Sequence, residues 1–455
     1  MRNFPEGGDR SGQSSLEISA VATDDRHMND ESHSTEDAPQ PDRRNAFFLL
    51  FFSLMAIGAG NTMLIAAVLP PLTRELGLPD WMAGAIFSLS ALCWSLSSPF
   101  WGKRSNTWGR RRVASIGLAG YSVSMALLFV ASLAAISEVL TATFAIFACL
   151  ALSRTVFGLV GSGASPAAQA YVADRTKPSE RQGEIAFITS GFSLGTVVGP
   201  AFASVLVASF GILSPMAVTS ILAGTMSVLL WKFLPENREP VRDANKVVAV
   251  PGEDGLWRSR NVMPFLVYAI TLSLVTGILT QVFVFAVMDK MGVSGTQAVQ
   301  YTGPAFMVGA MAVMTAQLVL IPRLKLRNRT LMIVGCLPLL VGALLLIPAK
   351  DFATLVLAQF CIGIGQGLTR PGFSSGASLA VSPRLQGNVA GLVISANGAG
   401  YIITPLFGLF LYQYVDPSLP FWICIGLLSA MSLFAHFAIK PGVGEADTVE
   451  DDDLL

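Results

Sequence analysis

From Ala46 to Ile439 the chain alternates between long apolar runs and short polar breaks. The first set of runs falls at about 46–70, 82–101, 113–133, 142–172, 184–209 and 213–234. After a longer polar stretch over 235–260, a second set follows at about 261–288, 297–321, 330–348, 352–380, 388–414 and 417–439. Each run approaches or exceeds the roughly 20 residues a helix needs to cross a ~30 Å hydrocarbon layer. Inside that layer an unpaired backbone group costs several kcal/mol, so segments of this kind must be helices. The pattern predicts an all-α transmembrane fold of 12 helices, arranged as six, a linker and six more.

The flanks follow a different pattern. Residues 1–44 are rich in Asp, Glu, Ser, Pro and Gly, and bury too little apolar surface to offset ordering entropy, which predicts a disordered tail. That tail lacks a basic start, an apolar core and a small-residue cleavage site, so it does not read as a secretory signal. The expected organisation is a tail over 1–44, a six-helix bundle over 45–234, a linker over 235–260, a second bundle over 261–440 and an acidic tail over 441–455.

Orientation follows from the cations, because Lys and Arg in short loops are retained in the cytoplasm. Loops on one side hold 22 of them, including Lys103, Arg104, Arg110, Arg111, Arg112, Arg175, Arg181, Arg323 and Arg329, against three on the other side, Arg74, Lys290 and Lys350. This predicts two cytoplasmic termini and an even number of crossings.

The two sets of helices are related to each other. RTVFGLVGSGASPAAQAYVADRTKPSERQG and GFSLGTVVGP in the first half correspond to QFCIGIGQGLTRPGFSSGASLAVSPRLQG and NGAGYIITP in the second. Gly158 matches Gly363, Pro166 matches Pro371, Gly195 matches Gly400 and Pro200 matches Pro405, all 205 residues apart. Gln182 and Gly183 match Gln386 and Gly387 at 204, the slip falling in a loop. Such duplication is the sequence trace of a transporter whose solute site lies between its halves.

Composition narrows the function. Apolar residues make up 52% of the chain and charged ones 13%, against roughly 25% charged in soluble domains. Formal net charge is zero, so no basic excess points to nucleic acid. Cys93, Cys149, Cys336, Cys361 and Cys424 are scattered singly and His is rare, so neither a disulfide framework nor a metal site is expected. No G-x-x-x-x-G-K-[ST] loop occurs, so nucleotide drive is not expected and no cofactor is required. Three other motif matches are incidental. GFSLG at Gly191–Gly195 lies inside a span, the sequon at Asn328 falls in a cytoplasmic loop, and the acidic end with Leu454 and Leu455 is read as a solvated tail.

Gly102–Arg112 reads GKRSNTWGRRR, which cytoplasmic retention alone would explain. The spacing of Gly102, Gly109, Arg110 and Arg111 also resembles the loop signature of the major facilitator superfamily: a glycine, an Asp-Arg pair, a second glycine and two basics. In that family the loop helps latch the halves together. Asn106 and Thr107 stand here where the Asp-Arg pair would be, which removes the latched charge. Arg154, Gly158, Gly161 and Gly163 resemble the same family's fourth-helix motif, whose arginine is tied to proton or substrate coupling. The alternative is an arginine solvated by carbonyls. Gly191, Gly195, Gly199 and Pro200 in GFSLGTVVGP resemble the antiporter motif of its exporters, with Ala203 and Ser204 at the terminal glycine pair; tight packing alone would also account for the glycines. VLPPL, Val68–Leu72, resembles the drug/proton antiporter branch, the 12-helix tetracycline-efflux type.

The resemblance implies a proton-coupled secondary exporter of a small amphipathic drug-like molecule or metabolite, working in the bacterial inner membrane as a monomer. Importing a nutrient or siderophore is the second reading, and a non-transporting sensor or scaffold the third. Coupling requires a group that changes charge within the membrane, yet the obvious first-helix position is Asn61. Asp174, Glu184 and Asp289, at span ends, are the candidate acids. Candidate solute-binding residues are the polar positions Asn61, Gln281, Gln317, Gln359, Gln366, Arg370 and Asn397, for which helix-to-helix hydrogen bonds are the alternative. Arg370, if it faces the cavity, would favour an anionic or carboxylate-bearing solute.

Overall fold

The computed structural model describes residues 41–176, 178–236, 253–381 and 385–439. Among the described residues, 12 helices are long and apolar enough to cross a membrane. They are α1 (Arg44–Glu75), α2 (Asp80–Trp108), α3 (Arg110–Ile136), α4 (Thr143–Ala173), α5 (Gly183–Phe210) and α6 (Ser214–Phe233), then α7 (Met263–Met291), α8 (Gly295–Leu324), α9 (Asn328–Leu346), α10 (Phe352–Leu379), α11 (Gly391–Tyr414) and α12 (Leu419–Ala438). No strand occurs among the described residues. Apart from the first residue of α1, all 12 lie in the compact unit Asn45–Leu455.

The segment read as a loop over Gly102–Arg112 is mostly helical: α2 runs to Trp108 and α3 begins at Arg110. Gly109 alone breaks the helix, at φ 96°. Hydropathy ends where the hydrocarbon would end, whereas Lys103 to Thr107 are polar but compatible with a helix, so the apolar run undercounts it. The same effect extends the helix of α5 back to Pro178.

Side chains gather into two large apolar cores, with a small third cluster of Ala316, Leu331 and Leu368 between α8, α9 and α10. One joins α1, α3, α4 and α5 through Leu50, Tyr121, Leu150 and Val207, and the other joins α7, α9 and α12 through Phe283, Met332 and Phe421. The cores reach into each other at one end of the molecule, where Val299 of α8 packs in the first and Ala83 of α2 in the second. That end carries the α1–α2 turn, and we call it the Arg74 end; the opposite one, with Arg110 and Arg329, is the basic end.

Glycines set how closely helices approach. A Cβ on Gly158 would lie 2.6 Å from Ser90 O of α2, and one on Gly363 2.1 Å from Gly309 O of α8. Gly195 meets Met55 O and Ala59 N of α1, while its repeat mate Gly400 meets Ser273 and Leu274 of α7. The repeat thus preserves the same backbone contacts in both halves. Between halves, Gly84 of α2 abuts Pro405 O of α11, and Gly303 of α8 abuts Pro200 O and Ser204 of α5. Toward the basic end, a Cβ on Gly102, Gly183, Gly391 or Gly398 would meet no described atom within 4 Å.

Prolines shape two helices. A π turn at Leu64–Val68 precedes Pro70 and Pro71 in α1, and another at Ala316–Leu320 precedes Pro322 in α8. A proline lacks its N–H and its ring crowds the carbonyl four residues back, so a widened turn relieves the clash. α10 opens on Asp351, whose carboxylate accepts from the Thr354 backbone N–H at 2.9 Å and hydroxyl at 2.8 Å. These donors hold its carboxyl below the usual carboxylate range. The cap therefore contributes above the ordinary pKa and is lost as pH falls through the lowered one.

Because a Cβ at Gly195 would sit 2.2 Å from Met55 O, Gly195→Ala is expected to lower stability in detergent by about 1–3 kcal/mol through overpacking. Gly398→Ala, with open space around it, should be neutral or stabilising by up to about 1 kcal/mol. Thermal unfolding of the two variants side by side checks this, and equal shifts would refute the close-approach argument.

Candidate functional site

Arg154 sits in α4 with 1% of its surface exposed. Its Nη2 donates to Asn61 Oδ1 of α1 at 2.8 Å, and its guanidinium lies 4.5 Å from the Phe157 ring centre and 5.8 Å from that of Phe87. Ser90 of α2 donates to the Arg154 backbone carbonyl, and the Tyr121 ring of α3 lies tilted against Phe157 with ring centres 4.7 Å apart. Four helices therefore enclose one cation. Its Nε and Nη1 have no hydrogen-bond partner among the described residues. A cation at this depth costs roughly 2.5–3.5 kcal/mol on insertion scales, and one amide oxygen and two ring faces offset that only in part.

A second cation lies in α10. On that helix Leu368 and Thr369 meet Gly335 of α9, and Gly372 meets Asn328 and Leu331. Ile364 and Leu368 pack with Ala316 and Leu320 of α8, while Phe373 and Gly376 meet Tyr268 and Phe265 of α7. Arg370 and Ser374, four apart and so on one face, remain exposed. Arg370 Nη2 donates to Tyr401 Oη of α11 at 3.4 Å, which lies 3.3 Å from Thr276 Oγ1 of α7. One turn away, Ser273 donates to Asn397 Oδ1 at 2.9 Å.

At the Arg74 end a charged cluster joins the halves. Arg74 Nε and Nη2 donate to both oxygens of Asp80 at 2.8 and 2.6 Å. The same guanidinium donates to Asp289 of α7 at 2.5 and 3.2 Å, and Tyr412 of α11 donates to Asp289 at 2.6 Å. Arg74 also lies 4.8 Å from the Phe285 ring centre. Nearby, the Trp81 backbone N–H donates to Gln413 Oε1 at 3.3 Å, and the Glu75 carboxylate lies against Gly295, whose φ of 53° suits a residue without Cβ.

The basic-end motif makes its ion pairs with the end of α4 and the start of the linker. Arg110 Nε donates to Asp174 at 2.9 Å, tying α3 to the end of α4, and its Nη1 donates to Ser105 Oγ at 2.5 Å. Arg111 pairs with Glu236 at 3.2 Å, and a Cβ on Gly109 would collide with that carboxylate. Asn106 is exposed and Gly102 uncrowded. The Arg181 side chain lies outside the described residues, and Glu184 is half-buried at the start of α5. Gly199 packs on Ala59 O and Thr62, just before the bend at Pro200.

The other polar candidates scatter. Gln281 is buried in α7 with its Oε1 unpartnered among the described residues, and Gln359 is buried against Gly309 of α8. Gln366 is half-buried and Gln317 exposed in the α8 π turn. Of the predicted set, the structure brings together Asn61 with Arg154. It also places Arg370 and Asn397 beside the same two helices, α7 and α11.

The model of the Major Facilitator Superfamily matches residues 50–347 and 320–452. The chain belongs to the Major Facilitator Superfamily. It is a multi-pass membrane transporter and not an enzyme. Solved structures share this superfamily fold at low identity. The human organic anion transporter MFSD10 (TETRAN) is 20% identical, with a TM-score of 0.60 over 87% of this chain and 100% of its own. The D-xylose-proton symporter is 14% identical, with 0.69 over 88% and 98%. A bacterial homologue of the human lysosomal transporter Spinster, inward-facing and occupied, is 15% identical, with 0.65 over 88% and 97%. No curated protein matches the chain.

In this facilitator, sequence reasoning missed the Arg74 cluster as a unit. Arg74 and Asp289 each read as a charge at a helix end, and their 215-residue separation hides the pairing. Tyr401 and Thr276 carried no signal beyond lying one helix turn from Asn397 and Ser273.

Asn61→Leu is expected to strip Arg154 of its charge-assisted hydrogen bond and to destabilise the protein by about 1.5–3 kcal/mol. Asn61→Asp supplies an anion at the same place and should raise the unfolding temperature above that of the leucine variant. If both variants unfold alike, the Asn61 contact contributes nothing.

Proposed function

We propose that the chain is a proton-coupled secondary exporter of the drug/proton antiporter type, carrying a small amphipathic molecule or metabolite out of the cell. It works by rocking the six-helix sets 45–234 and 261–440 about a site between them, the usual mechanism of duplicated transporters. The observation that carries this reading is the Arg74–Asp289 pair, which joins first half to second at one end of the molecule. Gly84 and Gly303 reinforce that closure by backbone contact. At the basic end the faces of α2, α5 and α11 around Gly102, Gly183, Gly391 and Gly398 are uncovered. Halves tied together at one end by an ion pair and by glycine contacts fit one of the two states alternating access requires.

The basic end is the cytoplasmic one on this reading, because 22 cations against three favour it, with both termini there. The membrane is the bacterial inner membrane, and one chain carries both halves, so a monomer suffices. The energy source is the proton gradient, with no cofactor. Asp289 is the coupling acid, since it is a titratable group shared between halves; the charged or titratable groups around it are Arg74, Asp80, Tyr412 and Lys290. Arg154 with Asn61 couples α4 to α1 within the first half. Arg110, Arg111, Asp174, Arg181 and Glu184, with Gly102, Asn106 and Gly109, form the surface that meets the second half when the basic end closes. Gly195, Gly199 and Pro200 are the packing and bending points of α5.

Two measurements test this reading. In everted vesicles, a solute found by comparing metabolite retention with and without the protein should accumulate, and a protonophore should collapse the gradient. Uptake only into right-side-out vesicles would favour import. In Asp289→Asn, loss of the cross-half pair, about 1 kcal/mol for a half-exposed ion pair, should raise opening at the Arg74 end roughly fivefold. Labelling of Gln413→Cys by an impermeant maleimide reads that opening, and an unchanged rate would remove the pair's role.

A further inference from the structure

The distribution of charge at bilayer depth is one-sided. Every acidic residue between Glu75 and Asp416 lies in a connection or within the first or last turn or two of a span, whereas Arg154 and Arg370 lie well inside α4 and α10. With about 1.5 Å of rise per residue, Arg370 sits roughly 13 Å from the basic end of α10 and Arg154 roughly 28 Å from that of α4. Among the described residues no carboxylate lies on either: Arg154 has Asn61, and Arg370 has Tyr401. Both guanidinium groups stay charged, and among the described residues no carboxylate lies at that depth to balance them.

We propose that the uncovered face of α10 binds the anionic group of the solute, with Arg370 as its anchor. The inference deepens the transport reading above and rests on it for the path by which solute arrives. Three features of the site fit a carboxylate, sulfonate or phosphate. Arg370 is exposed on the face that α7, α8 and α9 leave free. Its hydrogen bond, at 3.4 Å to a neutral phenol, is long and leaves most of the planar fork of donors for a bidentate acceptor. The Tyr401 hydroxyl, 3.3 Å from the buried Thr276 Oγ1, stands beside it and can donate to a remaining lone pair of the same group. Arg154, 99% buried with two orphan N–H atoms, adds a second positive charge deeper along the path. The solute is therefore an amphipathic anion, its apolar part lying against the helices.

The test uses the purified full-length chain in phosphatidylcholine nanodiscs with three probes of one size: 2-naphthoate, 2-naphthamide and 2-naphthylmethylammonium. Binding is read by tryptophan fluorescence and thermal shift. Naphthoate should bind at least tenfold more tightly than the amide or the cation, and Arg370→Gln should remove that preference while Arg370→Lys keeps part of it. Equal affinities, a preference for the cation, absence of naphthoate binding, or an unchanged preference in Arg370→Gln would each overturn the proposal. Adding phosphatidylglycerol should leave naphthoate affinity unchanged; competition would assign the site to a lipid headgroup and overturn the solute assignment.

A second measurement needs no ligand. Ser374→Cys places a thiol one turn from Arg370, where an anionic methanethiosulfonate should react at least fivefold faster than its cationic counterpart, relative to free thiol, and Arg370→Gln should abolish the difference. A preference for the cationic reagent, or a ratio indifferent to Arg370, would overturn the proposal. These readouts need no transport. Anion binding without movement in vesicles refutes the transport reading and leaves the site, whereas transport of a cation refutes the site and leaves the transport reading.

Discussion

Backbone-to-backbone contact through glycine is the constraint on which the architecture depends. Among lipid tails, apolar side chains gain little by leaving their surroundings, so helices associate where small residues let them come close. Gly158 and Gly363, Gly195 and Gly400 join the same helix pairs in each half, placing a carbonyl of the neighbouring helix, or at Gly400 the Ser273 Cβ, where a Cβ would stand. With these seams in place, Arg154 is walled in by α1, α2 and α3, and α10 is turned so that Arg370 faces outward. The seams between halves, at Gly84 and Gly303, decide which end of the molecule is shut.

The spans were legible in the sequence because hydrocarbon thickness imposes a length and an apolar composition that no other setting demands. The repeat was legible for a related reason: glycine and proline cannot be exchanged at a close contact or a bend, so Gly195 with Gly400 and Pro200 with Pro405 persist when most neighbours differ. Asn61 and Arg154 were both visible as polar residues in apolar runs, although only the fold pairs them. What did not register was any arrangement depending on distant partners. Asp289 reads as a solvated cap until α1 brings Arg74 to it, and Tyr401 is an unremarkable aromatic until Arg370 reaches it. Helix ends were also blurred, since polarity marks the edge of the lipid and not the last hydrogen-bonded turn, as Lys103 to Thr107 demonstrate.

The two halves share a scaffold and divide the chemistry. Position 154 holds an arginine where the repeat has Gln359, and position 370 holds one where the first half has Ser165. One cation is sealed inside its own bundle and the other is presented outward. Duplication supplied the framework, and later divergence placed charge at unequal depths.

The widened turn in α1 has a geometric effect beyond relieving Pro70 and Pro71. A π turn accommodates an additional residue, so everything past Val68 is rotated by roughly 100° relative to an unbroken α-helix. That phase offset determines which way Arg74 points as it leaves the bundle. Straightening the coil by deleting a residue at Leu64–Val68 would swing the guanidinium about a quarter-turn from Asp80 and Asp289, so the ion pair is registered by helix pitch as much as by charge.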